Sequence, residues 1–178
     1  MFSYGYLMQA LGYLGARLDD AKLVRRALEG VRKVGEVRDY PMAVQMQDVL
    51  QAELERMEGE PVRAAARLAP VASRHDALTL VHGSRLRALL AARNDRDART
   101  EAQWLAGHRG RAWVERPAGD LLNLVAVYDS TLALLVQAEV ASRLDARAEA
   151  GEFASAFEAA WPRENLPRSL RERLATVR

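Results

Sequence analysis

The chain has no cysteine and no isoleucine, four threonines, two lysines, three histidines and eleven aromatic residues among 178 positions. Without cysteine there is neither a disulfide framework nor a thiolate metal site. With isoleucine absent and threonine and aromatics scarce, the stock that strands draw on is too thin for a sheet-built fold. Three scattered histidines leave little for metal binding. No basic leader precedes the apolar residues of Met1-Phe2-Ser3-Tyr4-Gly5-Tyr6-Leu7-Met8 and no small-residue cleavage site follows them, so a secretory signal is not expected and a cytoplasmic location is.

Alanine (32) and leucine (25) fill 57 positions, and both are strong helix formers. A single domain of this length buries about 70% of its unfolded surface, enough for a core without staples. Twenty-four arginines and two lysines stand against 24 acids, for a net charge of +2. The arginines lie among acids, as in Arg93-Asn94-Asp95-Arg96-Asp97, which describes a solvated helix surface and excludes a phosphate-tracking stripe. No nucleic-acid partner is expected.

Helical periodicity covers most of the chain. Met42, Met46, Val49, Leu50, Leu54 and Met57 form one face, with Pro41 suited to the first turn and Gly59 to the exit. Val62, Ala65, Leu68, Ala69 and Ala72 form the next stripe, opening at Glu60-Pro61. The same device recurs at 3–34, hinged at Arg17-Leu18-Asp19-Asp20 and stopped at Gly35, and at 75–114, hinged at Arg93-Asn94-Asp95. An apolar stretch at 121–144 leads into a helix ended by Pro162, and a short helix at 166–177 caps the series. The expected fold is all-α: about eight or nine helices in antiparallel pairs (3–34, 41–72, 75–114, 120–161), stacked as a short α-solenoid within a single helical-repeat domain, which itself could be the C-terminal part of a longer polypeptide.

An internal repeat underlies the pairs. Ala64, Leu68 and Val71 recur 34 positions later as Ala98, Ala102 and Leu105, and 40 positions earlier as Val24, Leu28 and Val31. A step of 55 places the fourth set at Phe153, Phe157 and Ala160. Twelve positions before each set stand Gly12, Ala52, Leu86 and Ala141, three of them small enough for two helices to cross closely. The excess in the last step contains Gly107-His108-Arg109-Gly110-Arg111 and Arg116-Pro117-Ala118-Gly119-Asp120, which read as turns in an insertion over 106–120.

This pattern resembles the tetratricopeptide-repeat superfamily over about 160 residues, with Leu11-Gly12 and Val140-Ala141, followed by Gly15 and Leu144, nearest its first-helix pattern. It departs in lacking a Trp at the start of each repeat, in Leu86, and in uneven spacing. The resemblance implies that first helices line a concave groove for a protein or peptide partner, and the transferred register places Tyr6, Gln9, Tyr13, Glu53, Arg56, Arg87, Ser142 and Asp145 toward it. On that reading Arg56→Glu and Arg87→Glu are surface changes costing within about 0.5 kcal/mol.

Chemistry is sparse. His75 and His82, if on one helix, would share a face two turns apart, too far for one metal. Ser84 follows His82 by two and points away from it. Gly107 and Gly110 lack the Lys-Ser/Thr of a phosphate loop. No enzymatic activity and no cofactor are expected. In the 121–144 stretch Asp129, Ser130 and Thr131 interrupt the apolar run, so a core helix, or two helices meeting at an Asp129 cap, is expected and a membrane span is not. The functional expectation is a docking module of a bacterial regulatory or signalling protein. The alternative is a small-molecule sensor or a homodimerisation module built on 106–120 and 121–144.

Overall fold

The computed structural model describes residues 4–34, 40–116 and 120–177. Gly35 and the segment Pro117-Ala118-Gly119, expected as a stop and a turn, lie outside the described residues. Within them the fold is all-helical, without strands, and its helices pack as neighbouring antiparallel pairs in a short solenoid. The pairs are α1 (Tyr4–Arg17) with α2 (Ala21–Lys33), α3 (Pro41–Met57) with α4 (Pro61–Ala72), α5 (Thr79–Ala91) with α6 (Asp95–Gly107), and α8 (Asn123–Arg143) with α9 (Arg147–Ala160). Between the third and fourth pairs lies α7 (Arg109–Val114), and α10 (Arg168–Ala175) closes the series after a short 3₁₀ turn at Arg163–Asn165.

The four turns within pairs are copies of one device. Asp19, Gly59, Arg93 and Asp145 each take positive φ, at 52°, 88°, 55° and 57°. The next residue, Asp20, Glu60, Asn94 or Ala146, donates its amide to the carbonyl five back, closing the helix end. That same residue's carbonyl then accepts from the fourth residue of the next helix, Val24, Ala64, Ala98 or Ala150, so one residue ends one helix and starts its partner. Asp20 and Asn94 add side-chain caps to Leu23 and Asp97. Pro41 and Pro61 occupy first turns as expected.

The turns correct the fourth register. They stand 40, 34 and 52 residues apart, not 40, 34 and 55. The fourth buried set is therefore Ala150, Ala154 and Phe157, each fully buried, while Phe153 is half-buried and Ala160 exposed. The corresponding small position is Ala138 instead of Ala141, though both are buried.

Other boundaries shift for local reasons. The expected helix from 75 begins at Thr79, because the Gln45 side chain reaches out of α3 to the Asp76 carbonyl (3.1 Å) and the Leu78 amide (2.9 Å) and pins the preceding segment as a turn. Asp76 pairs with Arg74 and caps nothing. The expected helix to 114 divides at His108, between two glycines, which raises the helix number among the described residues to ten. The apolar stretch is one unbroken 21-residue helix through Asp129. It is long and apolar enough to cross a membrane, and 61% of its apolar window is buried inside the fold.

One continuous core runs from Ala10 and Tyr13 through Met46, Leu50, Leu68, Leu80 and Leu105 to Val140. A second, around Leu135, Phe157, Leu170 and Leu174, seats α10 on the last pair. At the α1 crossing a Cβ on Gly12 would meet Ala27 Cβ at 2.8 Å and Leu50 Cδ1 at 2.9 Å, whereas one on Gly151, exposed within α9, meets nothing within 4 Å.

Opposite signs are therefore expected for the same substitution at two glycines. Gly12→Ala destabilises by about 1–2 kcal/mol, since overpacking against a rigid Ala27 Cβ exceeds the helix-propensity gain. Gly151→Ala stabilises by about 0.5–1 kcal/mol. Leu68→Ala and Phe157→Ala, at fully buried positions, cost about 2–5 and 3–5 kcal/mol. Urea denaturation of the four variants checks the register, and an unchanged midpoint for Phe157→Ala contradicts it.

Candidate functional site

The first helices of the pairs, α1, α3, α5 and α8, pack side by side. Along them the repeat spacing brings Tyr13, Glu53, Arg87 and Glu139 to equivalent positions. The first three meet. Arg87 donates from Nη2 to Tyr13 Oη (2.9 Å), Glu53 Oε1 (2.5 Å) and Ser84 Oγ (2.9 Å), from Nε to Glu53 Oε1 (2.9 Å), and from Nη1 to Asp129 Oδ2 (3.1 Å). The Tyr13 hydroxyl donates in turn to Asp129 Oδ2 (3.2 Å). The Arg87 guanidinium also stands over the Tyr13 ring, 5.4 Å from its centroid.

Asp129 comes from the extra length of α8. Thr79, the first residue of α5, has Thr131 as its counterpart after 52 positions, so residues 123–130 of α8 have no equivalent in α5. These added turns reach across to α1, where Arg17 Nη1 pairs with Asp129 Oδ1 (2.9 Å) and the Arg17 guanidinium lies 5.8 Å from the Tyr128 ring. Gly83 permits the approach: a Cβ there would lie 3.1 Å from Asp129 Oδ2. On the other side Arg56 Nε donates to Glu53 Oε2 and Arg56 Nη2 to Asp19 Oδ1, both at 2.8 Å.

Burial sets the electrostatics. The Tyr13 side chain is inaccessible and the Glu53 and Asp129 carboxylates nearly so, at 1% and 5% exposure. For Glu53 burial alone raises the carboxyl, but the Arg87 and Arg56 guanidiniums outweigh it and hold it below the ordinary range. Burial pushes the Tyr13 hydroxyl far up, against the pull of Arg87, so it remains a donor. Arg87 is held well above its ordinary value, burial being overcome by Glu53, Tyr13 and Asp129.

Beside this network lies a cavity of about 380 Å³. Asp19, Arg17 and Arg56 line it on one side and Arg173 on the other, with Leu86, Leu90 and Leu105 from the third pair and Leu132 and Val136 from α8 as apolar wall. Glu139, the fourth equivalent position, holds Arg173 of α10 in a two-pronged pair (2.7 and 2.9 Å).

The transferred register names residues on the inner helices, but their state differs from a free groove surface. Tyr13, Glu53 and Arg87 are spent on one another, and of the three only Arg87 lines the cavity, together with Arg56. Gln9 is buried and donates to the Ala43 carbonyl (2.9 Å), tying α1 to α3. Tyr6 is half-buried against the core, Ser142 is half-buried, and Asp145 is the exposed turn residue after α8. Arg87→Glu is accordingly not a surface change. On the sequence alone Arg17, Asp19, Asp129 and Arg173 receive no site role; the available signal is Asp129, the carboxylate that interrupts the most apolar stretch and on burial requires cations.

The histidines separate: His75 lies in the turn before α5, whereas His82 is buried within α5, its Nδ1 2.7 Å from Glu101 Oε2 and its ring stacked on Trp104 at 3.4 Å. Ser84 belongs to the Arg87 network. Among the described residues no group of three or more metal-ligating side chains is clustered to hold an ion. None of residues 106–116 lines the cavity. No family model, curated protein or solved structure matches this chain.

Removing Arg87 leaves Glu53 with Arg56 alone and Asp129 with Arg17 alone, so Arg87→Met is expected to cost about 1.5–3 kcal/mol in urea denaturation at neutral pH, the range for lost hydrogen bonds to charged groups. A cost below 1 kcal/mol contradicts the network. The lowered Glu53 carboxyl gives the pH sign: its contribution is complete above the ordinary value of 4.5 and disappears as pH falls through the lower folded value. The stability gap between wild type and Glu53→Gln, followed by the same method, should narrow on acidification below that point.

Proposed function

We propose that the chain is a non-enzymatic docking module whose inner helix face binds a segment of a protein or peptide partner. The observation that carries this reading is the convergence of three inner helices, α1, α3 and α5, with the lengthened α8 on one cavity, where an apolar wall adjoins fixed guanidiniums. Such a wall takes up an apolar side chain, and planar Arg donors orient carboxylates and carbonyls. In this reading the chain is a degenerate relative of the tetratricopeptide-like helical repeats, serving in the cytoplasm as part of a bacterial regulatory or signalling protein.

A small-molecule ligand is the second reading, favoured by the cavity volume, which falls within the roughly 300–1,000 Å³ of ligand sites. Dimerisation has its own support in Trp113, Val114, Leu121 and Leu124, all exposed around the junction that Asn123 ties to the Ala112, Trp113 and Glu115 carbonyls.

Leu90, half-buried on the cavity wall, offers the test. Peptides selected from an array on the wild-type protein should bind Leu90→Trp at least about tenfold more weakly by titration calorimetry, because the indole fills the space they occupy, with the helical circular dichroism unchanged. Equal affinity moves the partner off the inner face. Failure of every peptide, together with a melting-temperature rise on screening small carboxylates, favours the second reading.

A further inference from the structure

We infer that the cavity mouth at Arg56 is a subsite for one carboxylate of the partner, an Asp or Glu side chain flanked by apolar residues, and that Asp19 occupies it in the chain's free form. This rests on the peptide-binding reading and adds to it the chemistry of the ligand.

The charge balance asks for an anion. The network beside the cavity holds three guanidiniums, Arg17, Arg56 and Arg87, and two buried carboxylates, Glu53 and Asp129. Arg173, across the cavity, is neutralised by Glu139. One positive charge is therefore left over, and in this structure Asp19 supplies the third carboxylate.

The two carboxylates on Arg56 are unequal. Glu53 is 1% exposed and holds Arg56 Nε, so it fixes the guanidinium plane. Asp19 is 73% exposed, holds Nη2, and rests on a turn at the surface. An exposed pair of this kind is worth little, whereas a carboxylate delivered on a chain that also buries apolar side chains against Leu86, Leu90 and Val136 brings its own binding energy. Displacement of Asp19 is the easy step.

Nor does the turn require an aspartate. Asp19 sits at the left-handed position, φ 52°, that glycine fills at Gly59 and arginine at Arg93. Helix capping falls to its neighbour Asp20, which accepts from the Leu23 amide. What Asp19 does with its side chain is hold Arg56.

The test uses blocked pentapeptides Ala-X-Glu-Z-Ala, with X and Z drawn from Ala, Val, Leu, Met and Phe, and their Gln counterparts, titrated by calorimetry into wild type, Asp19→Asn and Asp19→Gly. Both variants suit positive φ, so the turn persists. The Glu peptides should bind the variants more tightly than wild type, by up to about fivefold, the limit set by a surface ion pair, and the Gln peptides should bind all three proteins alike. Peptides that bind but do not distinguish wild type from the variants, or Glu and Gln peptides that gain equally, overturn the subsite and leave the docking face standing. No binding by any peptide to any of the three proteins overturns both.

Discussion

Carboxylates withdrawn from water have to bring their counter-charges with them, and for Glu53 and Asp129 that requirement makes Arg87 structural. Its partners come from α1, α3 and α8 as well as from its own helix, so satisfying one side chain fixes the mutual position of four inner helices. A buried ion network is weak evidence for net stability, because desolvation offsets much of the Coulombic gain. Its stronger consequence is selective: a sliding of α8 by one turn would leave Asp129 buried without Arg17 or Arg87, and a sliding of α3 would part Glu53 from Arg87. The apolar contacts around it, mostly alanine, leucine and valine, are non-directional, whereas the charges are satisfied only where donor meets acceptor.

The repeat and the network depend on each other. Copies of a single turn return each chain segment at the same phase, and this phase is what sets Tyr13, Glu53 and Arg87 side by side on successive helices. Three unlike side chains at one repeat position, a hydroxyl, an acid and a base, then complete one another. Identical residues there would have stacked like charges, so the divergence of the repeats at this position is part of what permits burial.

Much of this was legible in the residues. Helix pairs, the Pro41 and Pro61 starts, the Gly59 exit and three of the four buried sets follow from periodicity and turn chemistry, which are local. The fourth set was misplaced by three positions because Phe153 and Phe157 sit one turn apart on α9 and an aromatic at either satisfies the pattern; only the Asp145-Ala146 turn decides between them. The site was half legible. A transferred register named the inner residues but treated them as surface, since exposure depends on what lies opposite. What lies opposite is Asp129, 116 positions from Tyr13 and 42 from Arg87, and no local pattern joins residues so far apart.

The irregular stretch between the third and fourth pairs acts through that same residue. By length it looked like a connector with loops, and none of its residues up to Arg116 touches the cavity. Its effect is to start α8 early: α7 and the segment after it let the helix begin eight residues ahead of its repeat counterpart, and those residues carry Tyr128 and Asp129 to Arg17 on the first helix. A regular fourth pair would have left the inner face an open trough with Arg17 and Arg87 short of a carboxylate. The added turns close the trough into a cavity and, Asp19 aside, leave it one positive charge in excess of neutral, which is the property from which any selectivity for an anionic partner follows.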